Sequence, residues 1–306
     1  AEGFDNGQPL GKAAHDIPRV NHAATCAICQ QMQHIAQTPF TATPPGAYGL
    51  AKAGVTRPRL EDAMDKTLPD VAQAVAGITD GMTVMIGGFG GAGSPIELIH
   101  ALIDRYRATG HPTGLTVINN NAGNGHVGLA ALIEAGMVKK LICSFPRSAD
   151  PVVFTELYLA GKIELELVPQ GTLAERIRAG GAGIPAFYTP TSFGTDLAKG
   201  KPVEVFEGRS YVQERWLKAD VALVKAERAD PHGNLTYRAA SRNFGPLMCM
   251  AATETIVQAR QIVAPGEIDP ETVITPGIFV QKVVEVSNPA QEEDLNLAKA
   301  AYPLEV

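Results

Sequence analysis

The order of apolar and polar positions after Leu68 predicts strands and helices in alternation. Short apolar runs predict strands at Met82–Ile86, Leu115–Ile118, Lys139–Cys143 and Ile163–Val168. Each run is followed by a helical period, over residues 95–107, 128–135, 151–160 and 173–179. Four strand–loop–helix units in series indicate an α/β fold, an open and mostly parallel sheet flanked by helices.

The pattern changes at both ends of this alternating region. An amphipathic helix is predicted to open at Met64–Thr67, with Pro69 near its first position. After Gly180 the chain has Gly- and Pro-rich loops between short strands. Further strands are predicted at Val221–Val224, Val273–Ile274 and Ile278–Val284, with a hairpin turn at Asp230–Asn234. We therefore divide the chain into an extension (1–63), one domain (64–288) and a C-terminal tail (289–306).

Residues 1–63 sustain neither a helix nor a strand period, and they contain six prolines. This composition predicts a poorly structured extension. The alternative is a zinc site, because four nitrogen or sulfur ligands fall within thirteen residues: His22, Cys26, Cys29 and His34. A zinc module usually separates its two ligand pairs by a dozen or so residues, so we expect no metal and keep zinc as the weaker alternative.

Charge and hydropathy exclude several classes of protein. The 306 residues carry a formal net charge of −6, which leaves no basic surface typical of nucleic-acid binding. The mean hydropathy is +0.01 and no apolar run is long enough to span a membrane. Four scattered cysteines and the lack of a secretory pattern predict a cytoplasmic protein. Two of them, Cys143 and Cys249, are predicted to be small core residues.

A glycine loop follows the first predicted strand. Gly88, Gly90 and Gly93 match the spacing of a dinucleotide fingerprint, but that fold also needs an acidic residue after the second strand. Here the second strand ends in Asn119–Asn121, so a nicotinamide-dependent dehydrogenase is only a remote alternative. Amides at a helix N-terminus still suit an anion, and we expect Ser94 to be an N-cap.

Longer segments resemble one family. The run Asp80–Pro95 is similar to the glycine-loop signature of the A chain type of family I CoA-transferases. Four later segments agree with it in the same order: Asn120–Gly123, Pro169–Arg178, Gly180–Pro190 and Arg242–Phe244. The resemblance covers residues 66 to 286 and implies the CoA-transferase (NagB/RpiA-like) fold.

The resemblance also implies an activity, the transfer of CoA from an acyl-CoA to a free carboxylic acid through a glutamyl-CoA thioester. Coenzyme A would be a substrate, with no permanently bound cofactor. The segments Asn119–Gly125, Ser144–Arg147 and Ile274–Gln281 favour succinyl-CoA as donor and 3-oxoadipate as acceptor, with acetoacetate as the alternative. A non-catalytic acid-sensing domain on a related fold remains open.

The chemistry needs a carboxylate nucleophile. Four glutamates each lie in a predicted helix or strand: Glu97, Glu164, Glu166 and Glu175. None lies in a loop that would present it to a cleft. In the family this glutamate belongs to a B subunit, so we expect one half of an enzyme, the alpha (A) half, that is active as a heterodimer or heterotetramer.

The resemblance assigns roles to residues after the strand ends. Gln170 resembles the oxyanion-hole glutamine, and Asn120 and Asn121 resemble the asparagines that line the site. From their positions at the same sheet edge, the other predicted substrate-binding residues are Gly88, Phe89, Gly90, Gly91, Gly93 and Arg147. Arg147 would hold the second carboxylate of a dicarboxylic acceptor. Simpler roles remain open: a turn residue for Gln170, Asx-turns for the asparagines, and a solvated or CoA-phosphate-binding side chain for Arg147.

Overall fold

The computed structural model describes residues 65–147 and 149–304. These residues lie within one compact unit, 57–306. The predicted extension, 1–63, and the four candidate zinc ligands His22, Cys26, Cys29 and His34 lie outside the described residues.

The described residues form strands and helices in the predicted alternation. The strands are β1 (Thr67–Leu68), β2 (Thr83–Ile86), β3 (Leu115–Ile118), β4 (Val138–Cys143), β5 (Glu164–Leu167), β6 (Ala186–Thr189), β7 (Val203–Phe206), β8 (Arg209–Arg215), β9 (Ala219–Ala229), β10 (Leu235–Thr236), β11 (Ala252–Ile262) and β12 (Lys282–Glu285). The α-helices are α1 (Val71–Val75), α2 (Ile96–Thr109), α3 (Gly128–Glu134), α4 (Val152–Leu159), α5 (Gln170–Ala182), α6 (Gly245–Ala251) and α7 (Glu292–Leu297). Short 3₁₀ helices cover Asp196–Ala198, Ala239–Arg242, Pro270–Thr272 and Gly277–Phe279.

Nine of these strands form one open sheet. Eight run in the order β1-β12-β11-β9-β2-β3-β4-β5 with parallel neighbours, and β10 pairs antiparallel with β9. A separate antiparallel sheet has the order β6-β8-β7. The predicted α/β class is confirmed. Because parallel strands end at one edge, the loops after β2, β3, β4 and β5 lie together, and we call this the site edge.

Both faces of the large sheet are covered, so its strands are apolar on both sides. Along β2, Val84 packs into the cluster formed with α1 to α4, whereas Met85 packs into the opposite cluster with α5 and α6. Leu102 of α2 and Met248 of α6 are both fully buried, one in each cluster. Alternating side chains along each strand therefore divide the core into two layers.

The first predicted helix begins later than expected. Thr67 and Leu68 form β1 and pair with β12, so Pro69 precedes the helix. Asp70 is the N-cap of α1, and its carboxylate accepts a hydrogen bond from the Gln73 amide at 2.8 Å. Thr67 and Leu68 therefore form an edge strand instead of the first turn of a helix, because they pair with a strand more than 200 residues further along the chain.

The region after Gly180 was predicted less well. The hairpin turn at Asp230–Asn234 is confirmed, since β9 and β10 pair on either side of it. The strand expected at Val273–Ile274 is wrong, because only an isolated bridge joins Thr275 to Leu235. The segment 278–284 begins as a 3₁₀ helix and enters β12 only at Lys282.

Residues after the predicted domain end also pack against the sheet layers. The carboxylate of Glu97 in α2 accepts a hydrogen bond from the Ala290 amide at 2.6 Å. The ring of Tyr302 stacks on His100 at 3.8 Å, and its amide donates to the His126 carbonyl at 2.9 Å. In this way the segment 287–304 covers the start of α2.

No helix within the described ranges is long and apolar enough to cross a membrane.

Candidate active site

Two of the predicted site residues meet at the site edge. The Asn120 amide nitrogen, after β3, donates to the Gln170 side-chain oxygen at 3.3 Å and to the Ser144 hydroxyl at 2.9 Å. Gln170 is the first residue of α5, and its side chain is exposed. Because its oxygen is engaged by Asn120 and its –NH₂ group makes no hydrogen bond within the described residues, that –NH₂ group remains as a donor for a substrate. The sequence did not identify Ser144 as part of this contact.

The neighbouring asparagines hold the backbone. The Asn119 amide donates to the Ile86 carbonyl at 2.7 Å, and its oxygen accepts from the Asn121 amide at 2.9 Å. The Asn121 oxygen accepts from the Gly123 amide at 2.8 Å, as in an Asx-turn. All three asparagines are buried. Of the two predicted to bind substrate, only Asn120 has its amide directed toward Gln170.

The glycine loop after β2 contains a tight turn. Phe89 and Ala92 exchange two backbone hydrogen bonds of 3.0 Å around Gly90 and Gly91. Gly90 and Gly91 have φ of 56° and 83°, which is the left-handed region required at both central positions of a type I′ turn. The turn leaves the Phe89 side chain 44% exposed at the site edge.

Asn243 anchors this glycine loop, a role that the sequence did not assign to it. Its side-chain oxygen accepts from the Gly88 amide at 3.3 Å, and its –NH₂ donates to the Ala92 carbonyl at 2.9 Å. Gly93 lies against the same segment, so close that a Cβ atom would be 2.6 Å from the Ser241 carbonyl oxygen. The Arg242–Phe244 motif therefore matters locally because it fixes the glycine loop.

Arg147 lies in the loop after β4 and is exposed. Within the described residues its guanidinium makes no hydrogen bond or ion pair, so it is available to a ligand or to solvent. Phe145, two residues earlier, is 56% exposed on the same edge. The structure thus places Arg147 on the same edge as the Asn120–Gln170 pair without a hydrogen bond to it, whereas the Phe145 amide donates to the Asn120 carbonyl at 3.0 Å.

The four glutamates of the predicted helices and strands are engaged elsewhere or remote from the loop. Burial raises the pKa of Glu166, but hydrogen bonds from Lys140 and Arg176 outweigh it and hold that pKa below its usual range. Glu175 is paired with Arg178 on the surface of α5. Glu97 binds the Ala290 amide, and Glu164 is exposed on the edge strand β5.

A fifth glutamate, Glu292, lies beside the glycine loop, and no motif in the sequence pointed to it. It is 6% exposed, and Gly91 faces its Cβ. Burial raises the pKa of Glu292, while a hydrogen bond with Ser94 and the charge of Lys225 lower it in part.

The N-cap role expected for Ser94 is wrong, since the N-cap of α2 is Pro95.

Two thiols and one imidazole of the core are held in their neutral forms by burial. Burial raises the pKa of both Cys143 and Cys249 to about 12, so neither thiol ionises near neutral pH. Both were predicted to be core residues, and both are buried. Burial lowers the pKa of His100 to about 4, and its Nε2 accepts a hydrogen bond from the Gly128 amide at 3.1 Å. The described ranges contain no group of three or more His, Cys, Asp or Glu side chains that could hold a metal ion.

Two cavities flank the glycine turn. One has a volume of about 590 Å³ and lies between Ala92, the ends of β9 and β11, and residues 238–241. The other, of about 700 Å³, lies between Gly90, Gly91, the loop after β3, and α7. The segment 287–300 contributes to the walls of both cavities. A substrate at the site edge therefore has room on either side of the turn.

Residues 69–286 match the family described as coenzyme A transferase. The chain belongs to the coenzyme A transferase family. The resemblance seen in the glycine loop and the four later segments is thereby confirmed. A CoA-transferase takes coenzyme A as a substrate.

Relatives of this CoA-transferase are similar over nearly their whole length. It is 59% identical over 237 residues to the A-type chain of 3-oxoadipate CoA-transferase from Pseudomonas putida, covering 78% of this chain and 99% of that protein. It is 58% identical to the Acinetobacter baylyi protein of the same name, and the match covers 74% of this chain and 98% of that protein. The A-type chain of a probable succinyl-CoA:3-ketoacid coenzyme A transferase from Bacillus subtilis is 48% identical, covering 72% and 90%.

Solved structures share the fold. The apoenzyme of an acyl-CoA transferase from Escherichia coli O157:H7 superimposes with a TM-score of 0.66 at 23% identity, covering 78% of this chain and 50% of that one. Glutaconate coenzyme A-transferase of Acidaminococcus fermentans gives a TM-score of 0.63 at 21% identity, and the match covers 72% of this chain and 75% of that one. The CoA-transferase chain described here thus spans half the length of the first of these structures.

Proposed function

We propose that this chain is the A-type half of an enzyme that moves coenzyme A from succinyl-CoA to 3-oxoadipate. The observation that carries the proposal is the Asn120–Gln170 pair beside the glycine turn, in a chain 59% identical to the corresponding half of a 3-oxoadipate CoA-transferase. The pair supplies one amide donor with a fixed orientation. The acceptor, 3-oxoadipate, is taken from the names of the Pseudomonas putida and Acinetobacter baylyi relatives, and the donor, succinyl-CoA, from the name of the Bacillus subtilis relative.

The proposed reaction passes through charged tetrahedral states. A carboxylate attacks the thioester carbon of succinyl-CoA, the C–S bond breaks, and a mixed anhydride and CoA thiolate form. The thiolate then attacks the anhydride at the enzyme carboxyl, giving a glutamyl-CoA thioester and free succinate. 3-Oxoadipate repeats the steps in reverse. Each tetrahedral state places negative charge on the former carbonyl oxygen, and the Gln170 –NH₂ donates to it.

The nucleophilic glutamate is proposed to belong to a B subunit. The relatives named above are each named as one of two chain types. The glutamates of α2, β5 and α5 in this chain are hydrogen-bonded, ion-paired or exposed on an edge strand. Exposed aromatic rings at the site edge, Phe89 and Phe145, give a partner apolar surface to cover. We propose a heterodimer or heterotetramer, working in the cytoplasm.

Arg147 is proposed to hold the second carboxylate of the acceptor. 3-Oxoadipate has this group and acetoacetate lacks it, and a guanidinium binds a carboxylate through two parallel hydrogen bonds. The support is its exposed position after β4, on the edge that holds Asn120 and Gln170. Asn121 and residues 88–93 are proposed to line the path of the substrate.

The test begins with the purified chain alone. We expect no exchange between succinyl-CoA and 3-oxoadipate, measured by thioester absorbance, and we expect activity when a purified B subunit is supplied. Glu292→Ala is tested in parallel because Glu292 is the buried carboxyl beside the loop. Exchange by the chain alone that Glu292→Ala abolishes would contradict the proposed partner nucleophile.

The second part of the test compares acceptors in the two-chain enzyme. Arg147→Ala should lower kcat/KM for 3-oxoadipate by about 10- to 100-fold and leave acetoacetate unaffected. Lys139→Ala is the control, since Lys139 is exposed near the start of β4, away from the site edge. Equal losses on both acceptors would place Arg147 on CoA, and no loss would make it a surface residue.

A further inference from the structure

The cavity beside Ala92 carries an unusual concentration of positive charge for so acidic a chain. We call it the basic cavity, and its charged lining residues are Lys225, Glu227, Arg238 and Arg260. It opens at the carboxyl ends of β9 and β11, next to the glycine loop. One wall is residues 287–289 and Gln291, which follow the part of the chain that matches the family. The proposed reaction gives this cavity no role.

Lys225 is a half-buried ammonium group with neutral partners. Its Nζ donates to the Ala290 carbonyl at 3.2 Å and to the Gln291 side-chain oxygen at 3.4 Å. No carboxylate of the described residues lies within 4 Å of it, although Glu97, Glu227 and Glu292 are close enough to act on it electrostatically. Of its three N–H donors, one remains for a ligand.

The other charges leave the cavity positive. Arg260 is paired with Glu227 at 2.9 Å, so the one carboxylate of the lining is neutralised. Arg238 is exposed and forms no ion pair or hydrogen bond through its guanidinium with the rest of the described chain. Three cations against one carboxylate give a net charge of +2. Such a cavity favours a ligand with more than one negative charge.

The size of the cavity indicates which reactant group fits. A volume of about 590 Å³ is in the range of pockets for drug-sized ligands, much larger than one carboxylate needs. Coenzyme A carries a diphosphate and a 3′-phosphate on its nucleotide end, and Lys and Arg are the usual ligands of phosphate. We propose that the basic cavity binds the phosphate groups of coenzyme A, through Lys225 and Arg238.

The position of the cavity agrees with this assignment. β9 is separated from β3 only by β2, so the cavity end of β9 is laterally about 10 Å from the strand that carries Asn120. The pantetheine arm of CoA joins the thioester sulfur to the diphosphate over a longer extended length. The thioester can therefore lie at Gln170 while the arm crosses the glycine turn and the phosphates enter the cavity.

The test uses the assembled two-chain enzyme and a substitution that reverses one charge. Arg238→Glu should raise KM for succinyl-CoA at least about tenfold with little change in kcat, because the guanidinium contacts a non-reacting part of the donor. Lys225→Gln should act in the same direction while keeping a donor for the Ala290 carbonyl. Lys139→Glu makes the same change of charge at the opposite end of β4 and should leave KM unchanged.

Truncated donors identify the group that is bound. The penalty of Arg238→Glu should disappear with succinyl-pantetheine, which has no phosphate. If it already disappears with succinyl-dephospho-CoA, the 3′-phosphate is the ligand; if it persists there, the diphosphate is. A penalty that persists with succinyl-pantetheine, that is absent with succinyl-CoA, or that affects only KM for 3-oxoadipate overturns the proposal.

The proposal rests on the family's use of CoA and is independent of the acceptor. If the two-chain enzyme fails to use 3-oxoadipate, the proposed function fails while the cavity can still be tested. Calorimetric titration of free CoA into the same complex then decides, with Arg238→Glu expected to weaken binding about tenfold. Equal affinity in wild type and variant would overturn the cavity assignment alone.

Discussion

Gln170 is the residue whose chemistry depends most on a single contact. A glutamine amide has a donor end and an acceptor end, and only the donor end can stabilise an oxyanion. The hydrogen bond of 3.3 Å from Asn120 engages the oxygen of Gln170, and Ser144 holds Asn120 in turn. The amide group is thus oriented before substrate arrives, which is the condition for effective electrostatic stabilisation.

Gln170→Ala should lower kcat of the two-chain enzyme on the order of 10²–10³-fold with a small change in KM, as for the loss of one oxyanion donor. Gln170→Glu should be at least as damaging, because it replaces the donor with negative charge. Steady-state kinetics with both substrates measure these values. Gln73→Ala, an exposed glutamine in α1, is the matched control.

Two results would give Gln170 a different role. A rise in KM with kcat unchanged would make it a binding residue. Full activity in Gln170→Glu would show that no donor is needed at this position.

At the scale of elements, the site depends on how the glycine loop is held. A loop with φ in the left-handed region at Gly90 and Gly91 has many conformations available to it before folding. Asn243, about 150 residues further along the chain, binds both ends of the turn through the Gly88 amide and the Ala92 carbonyl. The 3₁₀ helix that precedes Asn243 therefore acts as a support for the loop.

Asn243→Ala should lower the free energy of unfolding by about 1–3 kcal/mol, since it leaves the partly buried Gly88 amide without its partner and removes one of the two hydrogen bonds to the Ala92 carbonyl. We also expect kcat to fall about tenfold because the loop loses its fixed position. Urea denaturation and steady-state kinetics measure the two effects. Gln261→Ala, at an exposed position of β11, should change neither, and a wild-type kcat in Asn243→Ala would refute the supporting role.

At the scale of the whole molecule, one sheet brings together loops that are far apart in sequence. The site edge combines residues after β2, β3, β4 and β5, and the basic cavity adds the ends of β9 and β11 with residues 287–291. Every described element lies at residue 65 or later. The matching region of 237 residues, 78% of this chain, already covers 99% of the Pseudomonas putida relative.

Removal of residues 1–63 should therefore change little. We expect the melting temperature of the two-chain enzyme to shift by less than about 2 °C, and kcat/KM to stay within about twofold, because no described packing layer is lost. Calorimetry and kinetics on the full and shortened chains measure this. The contrary outcome is one zinc ion per full-length chain by metal analysis, with lost activity after deletion, which would favour the site at His22, Cys26, Cys29 and His34.

Local patterns were sufficient for the strands and helices of the alternating region. The four predicted strand–helix units are present with shifts of a few residues, because a buried parallel strand must be apolar throughout and a covering helix must be amphipathic. The 11-residue strand β11 was missed even though its middle residues, 255–259, are all buried. Polar residues inside it interrupt the apolar pattern: the Gln258 amide donates to Glu97, and the Thr255 hydroxyl donates to the Cys249 carbonyl.

By itself the sequence determined the fold class, the family and the edge at which Gln170, Asn120 and the glycine loop would lie. These follow from periodicity and from contiguous motifs, which are local properties of the chain. The tertiary structure decided which end of the Gln170 amide is available, that Asn243 supports the loop, and that Lys225, Arg238 and residues 287–291 share a cavity with Arg260. Those relations join residues from tens to nearly two hundred positions apart, so no local pattern encodes them, and only the packing of the strands brings them into contact.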